Sequence, residues 1–154
     1  PVIMKLLEDR LPIEAITVMV QKEAAQRICA EVGTRQSGAV TVSVNYYAEP
    51  EMLFGVSAGS FMPAPKVDSA VIRLNVRKEP PVKVESEKLL FNVIKAAFSQ
   101  RRKTLANSLS SGLSVEKGKI NELLINSGVE TNARAEKLTL DDFANITNNL
   151  QEMM

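Results

Sequence analysis

The sequence predicts an α/β protein in two parts: a piece of a doubly wound sheet domain over residues 1–79 and a small all-α domain over 86–154. Three observations predict it. A helical pattern, an unbroken apolar run and a second helical pattern follow one another between Val2 and Val32, and these are the repeating parts of doubly wound sheets. Pro80-Pro81, in a charged setting, can neither continue a strand nor begin a helix cheaply, which marks residues 80–85 as a linker. After that linker every apolar pattern has the helical period.

The elements are read in order. Ile3, Leu6 and Leu7, with charges between them, give a short amphipathic helix over Val2–Arg10 that Leu11-Pro12 ends. Ala15-Ile16-Thr17-Val18-Met19-Val20 is apolar and β-branched without alternation, the mark of a strand buried on both faces, as in a parallel sheet. Ala24, Ala25, Ile28 and Val32 resume helical spacing from Gln21, and Gly33 is the expected stop. Ala39 to Val44 alternates and is β-branched, so propensity alone reads strand. Glu49–Ser57 and Ser69–Val76 are better strand candidates.

In the second part, Ser86 is an N-cap for a helix carrying Leu90, Phe91, Ile94, Ala97 and Phe98. A second helix is expected from about Arg101 to Leu109, with Leu105 and Leu109 inward and Ser110-Ser111-Gly112 closing it. Ile120, Leu123 and Leu124 mark a third, ending near Gly128. Thr139-Leu140-Asp141-Asp142 has capping-box form ahead of a fourth with Phe143, Ile146 and Leu150.

Composition narrows the chemistry. Histidine is absent, which removes the commonest general base and metal ligand. The single cysteine, Cys29, leaves neither a disulfide framework nor a zinc site within the chain, and in a helical pattern it reads as a buried thiol. No run approaches the ~20 apolar residues that span a bilayer, and no membrane partner is expected. The net charge of +1 over 154 residues is uninformative, but its distribution is not. Between Lys88 and Val115 stand five basic residues and no acidic one, three of them adjacent as Arg101-Arg102-Lys103. On a helix such a triplet fans through about 100° per residue, spreading charge over a broad arc. The arc is either a solvated face or a grip on phosphates, which the planar fork of arginine suits.

The second feature is Ser60-Phe61-Met62-Pro63-Ala64-Pro65-Lys66-Val67-Asp68-Ser69. Proline fixes its own φ and extends the residue before it, so Pro63 and Pro65 stiffen this loop. A stiff loop holds an aromatic ring in place at little entropic cost; Phe61 is either that ring or a core residue beside a strand. Lys66, five residues on, is a phosphate contact or a solvated side chain. Gln21-Lys22-Glu23 stands at the carboxyl end of the apolar strand, where open α/β sheets place ligands, although Glu23 also suits a helix N-terminus. Arg134-Ala135-Glu136 reads as a salt bridge or helix entry.

The Ser60–Val71, Ala97–Leu109 and Arg134–Leu138 segments resemble the RNA adenine dimethylases, in particular the bacterial KsgA-type enzymes acting on small-subunit ribosomal RNA. The resemblance runs from Val2 to about Leu150. It implies the C-terminal part of a doubly wound, Rossmann-like S-adenosylmethionine-dependent methyltransferase domain followed by an all-α domain, and it turns Gly38–Tyr47 into a helix packed on the sheet. It implies that Phe61 stacks on the target adenine, that Arg101, Arg102, Lys103 and Lys66 contact RNA, and that the enzyme dimethylates N6 of two adjacent adenosines near the 3′ end of the small-subunit RNA. The implied partner is that RNA or a precursor of the 30S subunit, in the cytoplasm. The rival readings are a non-catalytic RNA-binding or ribosome-assembly module and a large-subunit rRNA methylase of the antibiotic-resistance type.

Such enzymes hold the adenine amine with an Asn-Leu-Pro-Tyr motif and approach the cofactor with a glycine-rich turn. Neither that motif nor any Gly-x-Gly occurs in these 154 residues, and Pro1 stands where a complete chain would carry methionine. The expectation is a fragment with no cofactor-binding and no metal-binding residues, inactive alone. Its sheet edge is expected to be covered by a partner or a swapped strand.

Overall fold

The computed structural model describes residues 2–10, 12–100 and 102–153. In chain order they form α1 (Val2–Glu8), β1 (Ala15–Gln21), α2 (Lys22–Ile28), α3 (Ala39–Tyr47), β2 (Ala48–Val56), β3 (Ser69–Val76), α4 (Glu87–Ala97), α5 (Leu105–Leu113), α6 (Lys117–Asn126) and α7 (Leu140–Met153). Short 3-10 turns stand at Ala58–Ser60 and Ala135–Lys137.

The sheet has the order β1-β3-β2, and both pairings are antiparallel. Ile16 faces Leu74, Val18 faces Ile72 and Val20 faces Ala70. Ala70, Ile72 and Leu74 are buried, and α2 and α3 lie against the strands. The other face is open. Met19, Val71 and Phe54 form a row across it, with Met19 52% and Phe54 56% exposed.

The expectation that β1 is buried on both faces, as in a parallel sheet, therefore fails. Helices cover one face only, β1 runs antiparallel to β3, and among the described residues no strand lies along its outer edge.

The segment 38–47 is a helix, as the resemblance implied and propensity did not. Thr41, Val42, Val44, Tyr46 and Tyr47 are all buried, because α3 touches α1, α2, α4 and β2. A helix enclosed on nearly every side needs no amphipathic stripe, so its β-branched alternation carries no strand information. The Thr41 hydroxyl accepts the Gly38 N–H at 3.0 Å and donates to the Arg27 carbonyl at 2.6 Å, tying this helix to α2. The helix expected from Gln21 to Val32 is shorter: α2 ends at Ile28, and the chain turns from Cys29 onward. Gly33, at φ 90°, serves a later turn rather than the helix end.

In the second part Ser86 accepts the Leu89 N–H at 3.1 Å and caps α4. Thr139 and Asp142 exchange reciprocal backbone-to-side-chain bonds of 3.0 and 3.1 Å at the start of α7. Leu90, Ile94, Leu105, Leu109, Ile120, Leu123, Leu124, Phe143 and Ile146 fill the space between the helices. The expected stop at Ser110-Ser111-Gly112 does not occur. The helix α5 runs on to Leu113 and closes at Ser114 with φ 55°. Gly112 is there for proximity, since a Cβ on it would lie 2.5 Å from the Ala96 Cβ.

Both parts share a buried aromatic joint. Phe91 of α4 stacks on Tyr47 at 5.5 Å and meets Tyr46 edge-on at 5.6 Å. Arg10 lies over the Tyr47 ring and pairs with Glu87 at the start of α4.

Candidate nucleic-acid interface

Phe61 sits just after the 3-10 turn at Ala58–Ser60, and its N–H donates to the Ala58 carbonyl at 3.3 Å. The loop around it is closed by Asp68. That carboxylate accepts the Ala58 N–H at 2.9 Å, while the Asp68 carbonyl accepts the Lys22 N–H at 2.9 Å. One residue thus joins both ends of the loop to the carboxyl end of β1. Phe61 is half-buried and is not among the apolar side chains packed on the core; the next residue, Met62, is fully exposed.

The basic run is placed differently from expectation. Arg101 lies outside the described residues. Arg102 and Lys103 are exposed and stand in a turn ahead of α5, where the Lys103 N–H donates to the Gln100 carbonyl at 3.2 Å. The helix begins only at Leu105 because Thr104 is extended and the Leu105 N–H is taken by the Ala133 carbonyl at 2.8 Å. The two charges therefore project from a turn rather than fanning around a helix.

Between this turn and the Phe61 loop lie two adjoining hollows that share Arg27. The first, about 680 Å3, carries Lys22, Arg27 and Lys66 along with the carboxylates of Glu23 and Asp68. The second, about 510 Å3, carries Arg27, Arg35 and Lys103. Lys66 is exposed on the loop side and Lys103 on the turn side, so the described cations run from Lys66, in the loop that carries Phe61, to the basic turn. A track of separated cations can follow a phosphate backbone, and an accessible ring beside it can stack a base.

Arg27 and Arg35 escaped the sequence reading. They sit apart from any basic run, one in a helical pattern and one in a loop, and only the packing of α2 on α3 brings them beside Lys103. The one signal was Ser37-Gly38 ahead of an apolar run, the form of a helix start. Arg134 precedes the 3-10 turn at Ala135–Lys137, and Glu136, within that turn, lines the second hollow. Glu23 stands in the first turn of α2, the position that suited it electrostatically. Cys29 is half-buried, and that burial raises its thiol pKa.

Residues 1–152 match the family model described as ribosomal RNA adenine dimethylase. The chain belongs to that family. Among curated relatives of this chain, the ribosomal RNA small subunit methyltransferase A of Alkaliphilus oremlandii is 44% identical over 155 residues, covering all of this chain and 54% of the relative. The protein of the same name from Caldanaerobacter subterraneus is 47% identical over 150 residues, covering 97% of this chain and 55% of the relative. The chain thus spans about half the length of the curated relatives it matches. A dimethyladenosine transferase from Plasmodium falciparum superposes with a TM-score of 0.77 at 23% identity, covering 95% of this chain and 60% of that one. The 23S rRNA methyltransferase ErmE gives 0.64 at 23% identity, covering 97% and 59%. These two likenesses establish the shared α/β methyltransferase fold.

β1 passes directly into α2 at Lys22, and the hollow at that end is lined mainly by charged and polar side chains.

Proposed function

We propose that this dimethylase-family chain is the RNA-holding part of a small-subunit rRNA adenine N6,N6-dimethyltransferase acting on two adjacent adenosines near the RNA 3′ end. What supports the reading is that Phe61 lies off the core in the Asp68-closed loop, whose Lys66 begins a row of cations running through Arg27 to Lys103. An adenine drawn out of its helix loses stacking, and an aromatic face returns about 1–3 kcal/mol of it. Lys22, Arg27, Lys66 and Lys103 hold the strand through its phosphates.

The names carried by the relatives favour the small ribosomal subunit over the large. Residues 86–154 act as a helical unit, set through the Phe91–Tyr47 joint against the sheet part in 1–79, with 80–85 as the linker. In this reading the methyl donor site lies outside these residues, and the chain alone transfers no methyl group. The open Met19–Val71–Phe54 row and the bare edge of β1 receive a further strand or a partner. The working location is cytoplasmic.

The test uses two RNA oligonucleotides, one with unpaired adenines and one fully paired. Phe61→Ala should weaken binding to the first by about 5–150-fold and leave the second within twofold. Equal loss on both, or on neither, would remove Phe61 from the interface.

A further inference from the structure

The hollow at the start of α3 has a chemistry of its own. It is about 510 Å3 in volume, and Arg27, Arg35, Ser37, Ala39, Val40 and Lys103 all line it. The first N–H groups of a helix have no intrahelical acceptor and carry its positive end, and Ala39 and Val40 are the first residues of α3. Ser37 supplies an independent sign of a missing ligand. It is only 4% exposed, and its hydroxyl has no hydrogen-bond partner among the described residues. A buried hydroxyl left unpaired is costly, so it calls for an acceptor or donor in the hollow.

The cations around it are equally unmatched. Among the described residues no carboxylate lies within 4.0 Å of the charged nitrogens of Arg27, Arg35 or Lys103. The Arg27 guanidinium sits against the helix start, for a Cβ built on Gly38 would lie 3.4 Å from its Nη1. Glu136 also lines the hollow, one carboxylate against three cations. Helix-end N–H groups, a buried hydroxyl and unpaired guanidinium groups form a donor set with a marked excess of positive charge. Its complement is a tetrahedral oxyanion.

We propose that this hollow is a phosphate site in which Ser37 Oγ, the N–H groups of Ala39 and Val40 and the Arg27 guanidinium donate to one phosphate group. The phosphate is either a phosphodiester of a bound RNA strand or free phosphate. The first source deepens the RNA-holding reading and rests on it; the site itself does not.

The experiment titrates the whole chain with inorganic phosphate at constant ionic strength, against chloride, and follows backbone amide resonances. Saturable shifts at Ala39 and Val40, weakened about tenfold in Ser37→Ala, are expected. Ser37→Ala should also melt no lower than the parent without phosphate, since it deletes a buried group that has no partner. A linear, unsaturable drift, or a Ser37→Ala variant that binds as the parent does, would overturn the site. Should Ser37→Ala fail to fold, Arg27→Gln must weaken the same shifts severalfold, and unchanged shifts there would overturn it equally.

A single-stranded RNA lacking terminal phosphates separates the sources. Displacement of phosphate from Ala39 and Val40 assigns the phosphodiester, and RNA that binds while phosphate stays overturns that assignment. RNA that does not bind at all refutes the RNA-holding reading, while the inorganic phosphate result still decides the site.

Discussion

Replacing Gly112 with alanine sets two forces against each other with opposite signs. In a helix interior alanine is favoured over glycine by about 1 kcal/mol, so propensity alone predicts a more stable protein. Packing predicts the reverse. A Cβ at 112 would lie 2.5 Å from the Ala96 Cβ and 2.8 Å from the Ala96 Cα, where ordinary contact begins at 3.4 Å. Neither obstructing atom can rotate away, because both are fixed to the α4 backbone. Relief requires the two helices to separate by a large fraction of an ångström. Overpacking of this kind costs about 1–3 kcal/mol and occasionally more, so the net expectation is a loss of about 0–2 kcal/mol after the propensity gain.

Urea unfolding followed by circular dichroism reads the change as a lower midpoint at unchanged slope. A control comes from Ala96→Gly in the Gly112→Ala background. It deletes the 2.5 Å contact but leaves the 2.8 Å one, so rescue should be partial. A Gly112→Ala variant stabilised by the full propensity gain would refute the close approach of α4 and α5.

Two further outcomes follow from the aromatic residues. Burial, with Glu87 and Glu8 adding to it and Arg10 opposing, pushes the Tyr47 pKa up to about 12 from 10.0. The unfolded chain gives up this proton first, so its contribution is intact below pH 10 and stability falls as pH rises from 10 to 12; an alkaline melting series should show the fall reduced in Tyr47→Phe. Phe61→Ala should change the unfolding free energy by no more than about 0.5 kcal/mol, against about 3–5 kcal/mol for a core phenylalanine, and denaturant titration decides between them.

What the sequence disclosed depended on how local each determinant was. The caps at Ser86 and Thr139 were legible because a capping box is contained within four residues, and its hydrogen bonds form where the spacing put them. The strand β3 and the four later helices were legible because each has one covered face, so burial leaves its period in the chain. Determinants outside the segment were not legible. The segment forming α3 reads as strand from its own residues, since a helix enclosed by four neighbours shows no stripe. The α5 start at Leu105 is fixed by the Ala133 carbonyl, 28 residues away in sequence, which no reading of Arg101-Arg102-Lys103 reveals.

The same holds for the candidate interface. Phe61 and Lys66 could be found because prolines, an aromatic residue and a lysine lie in one short loop. Arg27 and Arg35 join the same surface only through the contact between α2 and α3, and nothing adjacent to either residue announces it. The loop motif was a local signal, and the cation track is a tertiary one.

The most direct test of the RNA-holding account is the salt dependence of binding between this chain and a single-stranded RNA. Each phosphate contact contributes about −0.7 to the slope of log K against log salt, so six engaged cations set a limit near −4. The account predicts a steep slope within that limit, made shallower by about 1–2 when Arg102 and Lys103 are both changed to glutamine. Binding with a flat slope, or a slope that the double substitution leaves unchanged, would contradict it.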